Sequence, residues 1–240
     1  MKRVNKSNLG GFTLMETLLA ISVVAILLTT FLAVFGPATS SIRRAISVQD
    51  ADRLASALEH ELSTLDEDET GTYQTAFDKA FEWISGSSSL SNSIILFNYR
   101  GDTGSIDNGE LSPYIGTEGI PGEDYLIQPA VRRVGQADDL EALMEAIEGR
   151  AFVVRMRQLV QDADGSLVPA DAGSGLVDTE GSGATSSESF NEAVIAFQAE
   201  FYLLPASSYQ YVTGPLAQGG DDFEGTLGEP LFKRNMAVRR

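Results

Sequence analysis

The stretch GGFTLMETLLAISVVAILLTTFLAVFGP, residues 10–37, decides the architecture of this 240-residue chain. After two glycines it continues as an apolar run over residues 12–35 that carries one carboxylate, Glu16. A helix over this run would be about 36 Å long at ~1.5 Å per residue, which is enough to cross a ~30 Å hydrocarbon core. We therefore predict a transmembrane helix over residues 12–36.

Glu16 is an unexpected residue in such a helix. A charged side chain at the centre of a bilayer costs several kcal/mol, and intramembrane carboxylates are usually functional and paired with another polar group. Because Glu16 is near the beginning of the run, there is one alternative to a functional role: Glu16 is an incidental carboxylate at the membrane edge whose side chain reaches water.

The segment GFTLME at residues 11–16, together with the apolar run, resembles the N-terminus of type IV prepilins and type II secretion pseudopilins. In that family a short basic leader ends in glycine, and a membrane peptidase cuts the Gly–Phe bond and methylates the new N-terminal amine. The resemblance implies a cytoplasmic leader over residues 1–11 and cleavage between Gly11 and Phe12. Phe12 would then be the methylated N-terminus.

The same resemblance implies an assembly role for Glu16. Its carboxylate would pair, in a filament, with the N-terminal ammonium of Phe12 of a neighbouring subunit, because two charges among apolar helices are tolerated only as a pair. The implied partners are the prepilin peptidase, other pilin or pseudopilin subunits, an inner membrane assembly platform and the lipid bilayer. The implied function is that of a structural filament subunit, not an enzyme, in a type IV pilus or a type II secretion system.

Basic residues before the apolar run predict the orientation of the chain. Lys2, Arg3 and Lys6 precede the run, so we expect a single-pass protein with a cytoplasmic N-terminus and an extracytoplasmic C-terminal domain. The resemblance implies that the membrane is a bacterial inner membrane. Arg43 and Arg44 follow the run and weaken this asymmetry without reversing it. A secretory signal peptide would have a shorter apolar core and a small-residue cleavage site after it. A plain membrane anchor is a second alternative.

The composition narrows the functional class. The formal net charge is −17, and it becomes −20 when Lys2, Arg3 and Lys6 leave with the leader, so we expect no nucleic-acid partner. The chain has no cysteine, which excludes thiol catalysis, a lipoprotein-type anchor and the C-terminal disulfide loop of many major pilins. Within the family, the expected mature chain of 229 residues (240 − 11) favours a minor pilin or a pseudopilin.

A second helical pattern follows Gly36-Pro37, where we expect a kink or break because proline removes a helical hydrogen bond. We predict an amphipathic continuation over residues 37–66, packed under a sheet, and an extracytoplasmic globular domain over residues 67–240. The fold class is α+β, with a long N-terminal helix against an antiparallel sheet. The apolar face of the continuation contains Ile42, Ile46, Leu54, Leu58, Leu62 and Leu65.

Alternating apolar residues at 151–160 and 194–204 give the clearest strand patterns, and they predict a sheet that is covered on one side. We expect these strands to pair across a mobile loop at about 161–192. An aromatic stripe at helical spacing predicts a core-facing helix over 73–84. Further predictions are a Ser/Gly linker over 85–93, strands over 94–98 and 125–128 with a polar loop between them, a helix over 138–148, and an edge strand over 230–238.

No residue set has a recognisable catalytic or metal-binding pattern. Asp162-Ala163-Asp164-Gly165 resembles the start of a calcium loop, but the twelfth position is Gly173, where an EF-hand has glutamate. We therefore predict a hairpin turn there and no cofactor, with calcium as an alternative that no matching loop supports. A single histidine, His60, provides no Ser-His-Asp set. Two other functional classes stay open: a membrane-tethered binding protein, and an enzyme on a membrane stalk.

Overall fold

The fold is α+β, with one long N-terminal helix and an antiparallel sheet of seven strands in the described part of the chain. The computed structural model describes residues 13–65, 71–107, 109–135, 139–170 and 186–240. The chain divides into two compact units, Met1–Ile46 and Ser47–Arg240. The predicted fold class is confirmed.

Helix α1 runs from Leu14 to Glu61 and passes through Pro37, so the helix has no break at Gly36-Pro37. It ends five residues before the predicted boundary at 66, and hydroxyl groups bond to carbonyls of its last turn. The Ser63 hydroxyl donates to Glu59 O at 2.7 Å, and the Thr64 hydroxyl donates to His60 O at 3.0 Å. These bonds satisfy acceptors that a helix end leaves without intrahelical donors.

The sheet has the strand order β2-β1-β4-β6-β7, while β3 pairs with β1 and β5 pairs with β4, all antiparallel. The strands are β1 (Ile94–Asp107), β2 (Glu110–Pro113), β3 (Tyr125–Arg133), β4 (Ile147–Gln161), β5 (Leu167–Pro169), β6 (Val194–Leu203) and β7 (Phe232–Arg239). The predicted pairing of 151–160 with 194–204 is confirmed as β4 with β6, from Phe152↔Leu203 to Gln158↔Phe197. Among the described strands β7 pairs with β6 alone, as the edge-strand prediction required.

Two predictions made from polar composition are wrong. The predicted polar loop after residue 98 is the second half of β1, which continues to Asp107 and pairs with β2. The predicted linker over 85–93 is packed, and Ser87 is buried. Its hydroxyl donates to Met156 O and accepts from Met156 N, at 3.0 and 2.9 Å. Serine can therefore stand inside the protein because it completes backbone hydrogen bonds.

The shorter helices lie around the sheet. Thr75 caps the N-terminus of helix α2 (Ala76–Gly86), and its side chain accepts from the Asp78 backbone N–H. The observed helix α3, Leu140–Glu145, is shorter than the predicted helix over 138–148, because strand β4 already begins at Ile147. Gly149, the residue after the predicted helix, lies in β4 with φ of 88°. Short helical turns follow β6: α4 (Tyr209–Tyr211), a π turn (Val212–Leu216), a 3-10 turn (Ala217–Gly219) and α5 (Phe223–Leu227).

Both faces of the sheet bury apolar side chains, so the prediction of a one-sided sheet is wrong. On one face, residues of α1 and α2 such as Leu58 and Phe77 pack with Phe152 and Phe197. On the other face, Tyr202 packs with residues of α3 and α5. The aromatic stripe of α2 lies in the core on the same face of the sheet as Leu58 and Phe152, as predicted.

Burial along α1 begins later than predicted. Ser47, Ala51, Leu54, Ala55 and Leu58 are the buried residues of this helix. Ile42 and Ile46 were expected under the sheet, but they are 60% and 47% exposed. The segment that packs on the sheet therefore belongs wholly to the second unit, Ser47–Arg240.

Candidate functional site

The first part of α1 is the candidate site, because its apolar side chains are exposed along its whole length. Its large apolar residues from Leu14 to Phe35 are 47–85% exposed. A helix in a soluble core would bury such residues. Near the N-terminus, α1 is long and apolar enough to cross a membrane, and it is the one helix of this kind in the described residues.

Glu16 lies at the very start of α1 and closes its first turn. The Glu16 backbone N–H donates to the Thr13 hydroxyl at 3.3 Å, and Glu16 Oε2 accepts from the Thr13 backbone N–H at 3.5 Å. This reciprocal pair is a capping box, which satisfies two donors that a helix N-terminus leaves free. The sequence pattern Thr-x-x-Glu could have predicted it, but we assigned Glu16 to the membrane run alone. Glu16 therefore has a local role beside its predicted assembly role.

The predicted cleavage and methylation residues cannot be compared with the structure. Gly11 and Phe12 lie outside the described residues, and so does the whole leader over 1–11. Cleavage, methylation and the pairing of Glu16 with a neighbouring Phe12 all stay predictions.

Hydroxyl side chains inside the apolar segment bond back to the helix. Ser22, Thr29 and Thr30 donate to the carbonyl groups four residues earlier, each at 2.8 Å. At these three positions the hydroxyl group is therefore hydrogen-bonded and leaves no unpaired donor beside the neighbouring apolar side chains. Such back-bonding is how polar residues are accommodated where no water is present.

Ion pairs connect the second part of α1, from Ser47 onward, to strands β4 and β7. Arg234 of β7 reaches Asp52 at 3.4 Å and Glu59 at 3.1 Å, and Arg150 of β4 reaches Asp50 at 3.7 Å. These pairs are partly exposed, so each contributes ~1 kcal/mol or less.

A buried pair joins the end of α1 to α2. Lys79 is 0% exposed, and its Nζ lies 2.6 Å from Glu61 Oε1. The same ammonium lies 5.0 Å from the centre of the Trp83 ring, and Trp83 Nε1 donates to the Tyr73 hydroxyl at 3.3 Å. A buried ammonium requires such partners, because desolvation without them is very costly. We name Glu61, Lys79 and Trp83 the α1–α2 clamp.

A polar network surrounds Glu200 on the second face of the sheet. Glu200 is 2% exposed, accepts from the Tyr202 hydroxyl at 3.1 Å and from Lys233 Nζ at 2.8 Å, and lies 3.7 Å from Arg157. Burial, and then the Glu200 charge, raise the pKa of Tyr202 above its ordinary value. Every charge of the network has a structural partner, and this arrangement resembles no catalytic set that we recognise.

The predicted calcium candidate is a turn. Asp162 Oδ1 accepts from Ala163 N at 2.6 Å, and Asp164 Oδ1 accepts from Ser166 N at 3.0 Å. Both carboxylates thus complete the β4–β5 hairpin, whose register is Gln161↔Leu167. No group of three His, Asp or Glu residues able to hold a metal ion occurs among the described residues. Residues 171–185 of the predicted mobile loop at about 161–192 lie outside them.

No family model matches the chain, and neither the curated proteins nor the solved structures contain a significant match. The functional argument therefore depends on the residues themselves.

Proposed function

We propose that this protein is a pilin-like structural subunit, a minor pilin or a pseudopilin. A prepilin peptidase cleaves it between Gly11 and Phe12 and methylates Phe12. The observation that carries the proposal is the segment GFTLME directly before an apolar helix whose side chains are exposed. The subunit waits in a bacterial inner membrane with its N-terminus cytoplasmic and its globular unit extracytoplasmic. It then enters a type IV pilus or a type II secretion filament.

The physical step in this mechanism is the movement of α1 from lipid into a bundle of apolar helices. In lipid, Glu16 lies at the membrane edge, where water and the Thr13 amide can reach its carboxylate. In the bundle, the carboxylate pairs with the N-terminal ammonium of Phe12 on a neighbouring subunit. A buried charge without its partner is strongly unfavourable, so only the subunit register that brings the two charges together is stable.

Cleavage is tested by expressing the chain with and without a prepilin peptidase and measuring the mature N-terminus by mass spectrometry. The expected product begins at Phe12 and carries one extra methyl group. Gly11→Val should block processing, whereas Gly10→Val serves as the matched control one residue away. An uncut chain, or a cut elsewhere, would overturn the proposal.

Two substitutions at Glu16 separate its two roles. Glu16→Gln keeps an oxygen that can accept from the Thr13 amide but has no charge, whereas Glu16→Ala removes both. Both variants should be cleaved, and both should enter filaments poorly if the charge pair drives assembly. Normal incorporation of Glu16→Gln together with failure of Glu16→Ala would assign Glu16 to helix capping and refute the pairing role. If neither Gly11 nor Glu16 substitutions affect activity or localisation, the protein is instead a tethered binding protein or a stalked enzyme.

A further inference from the structure

Two arginines follow the apolar segment of α1 at a distance that matches a bilayer. Between Glu16 and Arg43 lie 26 residues, 17–42, and none of them is charged. As a continuous helix this stretch is about 39 Å long at ~1.5 Å per residue. A bilayer including its headgroup regions is ~40–45 Å thick. With Glu16 at one interface, Arg43 and Arg44 therefore lie at the other.

The geometry of the helix directs both arginines back towards the lipid. Arg43 and Arg44 are exposed on α1. Side chains of a helix lean towards its N-terminus, which here is the direction of the membrane. Long basic side chains can lay their methylene groups along apolar surface and place the charge among the headgroups.

The charges of the chain are segregated along its length. Residues 1–46 hold five basic residues and one acidic residue, a net charge of +4, whereas residues 47–240 hold 12 basic and 33 acidic residues, a net charge of −21. An acidic unit is repelled by an anionic membrane surface. Arg43 and Arg44 belong to the basic unit and are its last two charged residues in sequence. The nearest carboxylates in sequence are Glu16 and Asp50.

We propose that Arg43 and Arg44 form a binding site for the phosphate groups of anionic phospholipids, in the leaflet at the C-terminal end of the membrane span. Guanidinium groups suit this ligand because their planar N–H groups bind two phosphate oxygens at once. The site fixes the depth of α1 in the bilayer. This inference rests on the proposed membrane insertion of α1, but it requires neither cleavage nor filament assembly.

The test compares three full-length proteins reconstituted in vesicles of phosphatidylcholine with 30% phosphatidylglycerol: the wild type, R43Q/R44Q and R53Q. Arg53 is exposed on the same helix nine residues beyond Arg44, and its replacement is the control for loss of one positive charge outside the proposed site. The readout is the preference of the protein for spin-labelled phosphatidylglycerol over spin-labelled phosphatidylcholine. The basic residues at 2, 3 and 6 are present in all three proteins, so differences report the substituted positions.

At low salt, R43Q/R44Q should reduce the preference for phosphatidylglycerol by about 5-fold for each arginine, which corresponds to ~1 kcal/mol per basic residue near an anionic surface. R53Q should retain the wild-type preference. An equal loss in R53Q would assign the effect to overall charge and overturn the inference. An unchanged lipid preference in R43Q/R44Q, with loss of self-association instead, would assign the arginines to acidic groups of a neighbouring subunit and overturn it too.

Extraction at alkaline pH separates this inference from the proposed function. If carbonate removes the wild type from vesicles, α1 does not span the bilayer, and the proposed membrane function fails together with the lipid site. If all three proteins stay in the vesicles but show no preference for phosphatidylglycerol, only the lipid site is refuted.

Discussion

The α1–α2 clamp predicts that two substitutions at one contact have unequal effects. Glu61→Gln leaves the fully buried ammonium of Lys79 beside a neutral amide, and loss of one partner of a buried pair costs ~3–5 kcal/mol. Glu61 is 19% exposed, so water screens one side of the pair and we expect the lower end, about 3 kcal/mol. Lys79→Met removes the buried charge and keeps most of the volume, and it leaves Glu61 with access to water. Its cost should be ~1 kcal/mol or less.

The assay is denaturant unfolding of the full chain in detergent, followed by the fluorescence of Trp83. This residue is the single tryptophan of the sequence, and it lies 5.0 Å from the Lys79 ammonium. Because both substitutions change the surroundings of Trp83, the midpoint should also be measured by circular dichroism at a strand-sensitive wavelength. Equal destabilisation by the two variants, or a larger loss for Lys79→Met, would refute the view that the buried charge of Lys79 dominates the energetics of this contact.

Three further predictions concern stability. Leu58→Ala, at a fully buried core position, should lower the free energy of unfolding by ~2–5 kcal/mol in a denaturant titration. Because the folded state raises the pKa of Tyr202, the stability that its phenol contributes is present below pH ~10 and is lost as pH rises above it. In Tyr202→Phe, unfolding midpoints measured from pH 8 to 11 should therefore fall less than those of the wild type. Burial opposes ionisation of Asp78, but the hydroxyl of Ser187 and other donors outweigh it and lower its pKa, so Ser187→Ala should destabilise by ~1 kcal/mol or less at pH 7. The difference between wild type and Ser187→Ala should shrink as pH falls below ~4, and a constant difference down to pH 2 would contradict this assignment.

The sequence predicted the elements whose side chains follow one period without interruption. The apolar run into α1 and the alternation in β4 and β6 are of this kind, because burial on one face repeats the same residue type at a fixed spacing. The second half of β1 was missed because its Gly, Ser and Thr residues carry no apolar pattern. There the strand is held by backbone pairing with β2, which leaves no signature in side-chain polarity.

The apolar segment of α1 and its local contacts could be read from the sequence, whereas the long-range contacts of α1 could not. Glu16 stood out because a carboxylate interrupts an apolar run, and the pattern Thr-x-x-Glu, which we did not use, indicates its bond with Thr13. The ion pairs of Arg234 with Asp52 and Glu59 join residues more than 170 positions apart. Pairs of this kind follow from the register of β7 against β6 and from the placement of α1, which a local pattern does not encode.

The outer strands of the sheet affect how copies of this protein can meet. An outer strand with free amide and carbonyl groups can recruit a strand from another chain, and such pairing leads to aggregation. Strand β3 contains Pro129, which has no amide hydrogen to donate, and β7 exposes Lys233 and Arg239, which repel a second copy of the same strand. In the proposed membrane-bound state, molecules in one plane would collide often, and these two strands disfavour aggregation through backbone pairing. In the proposed filament, ordered contacts between copies would therefore use other surfaces, among them the exposed apolar segment of α1.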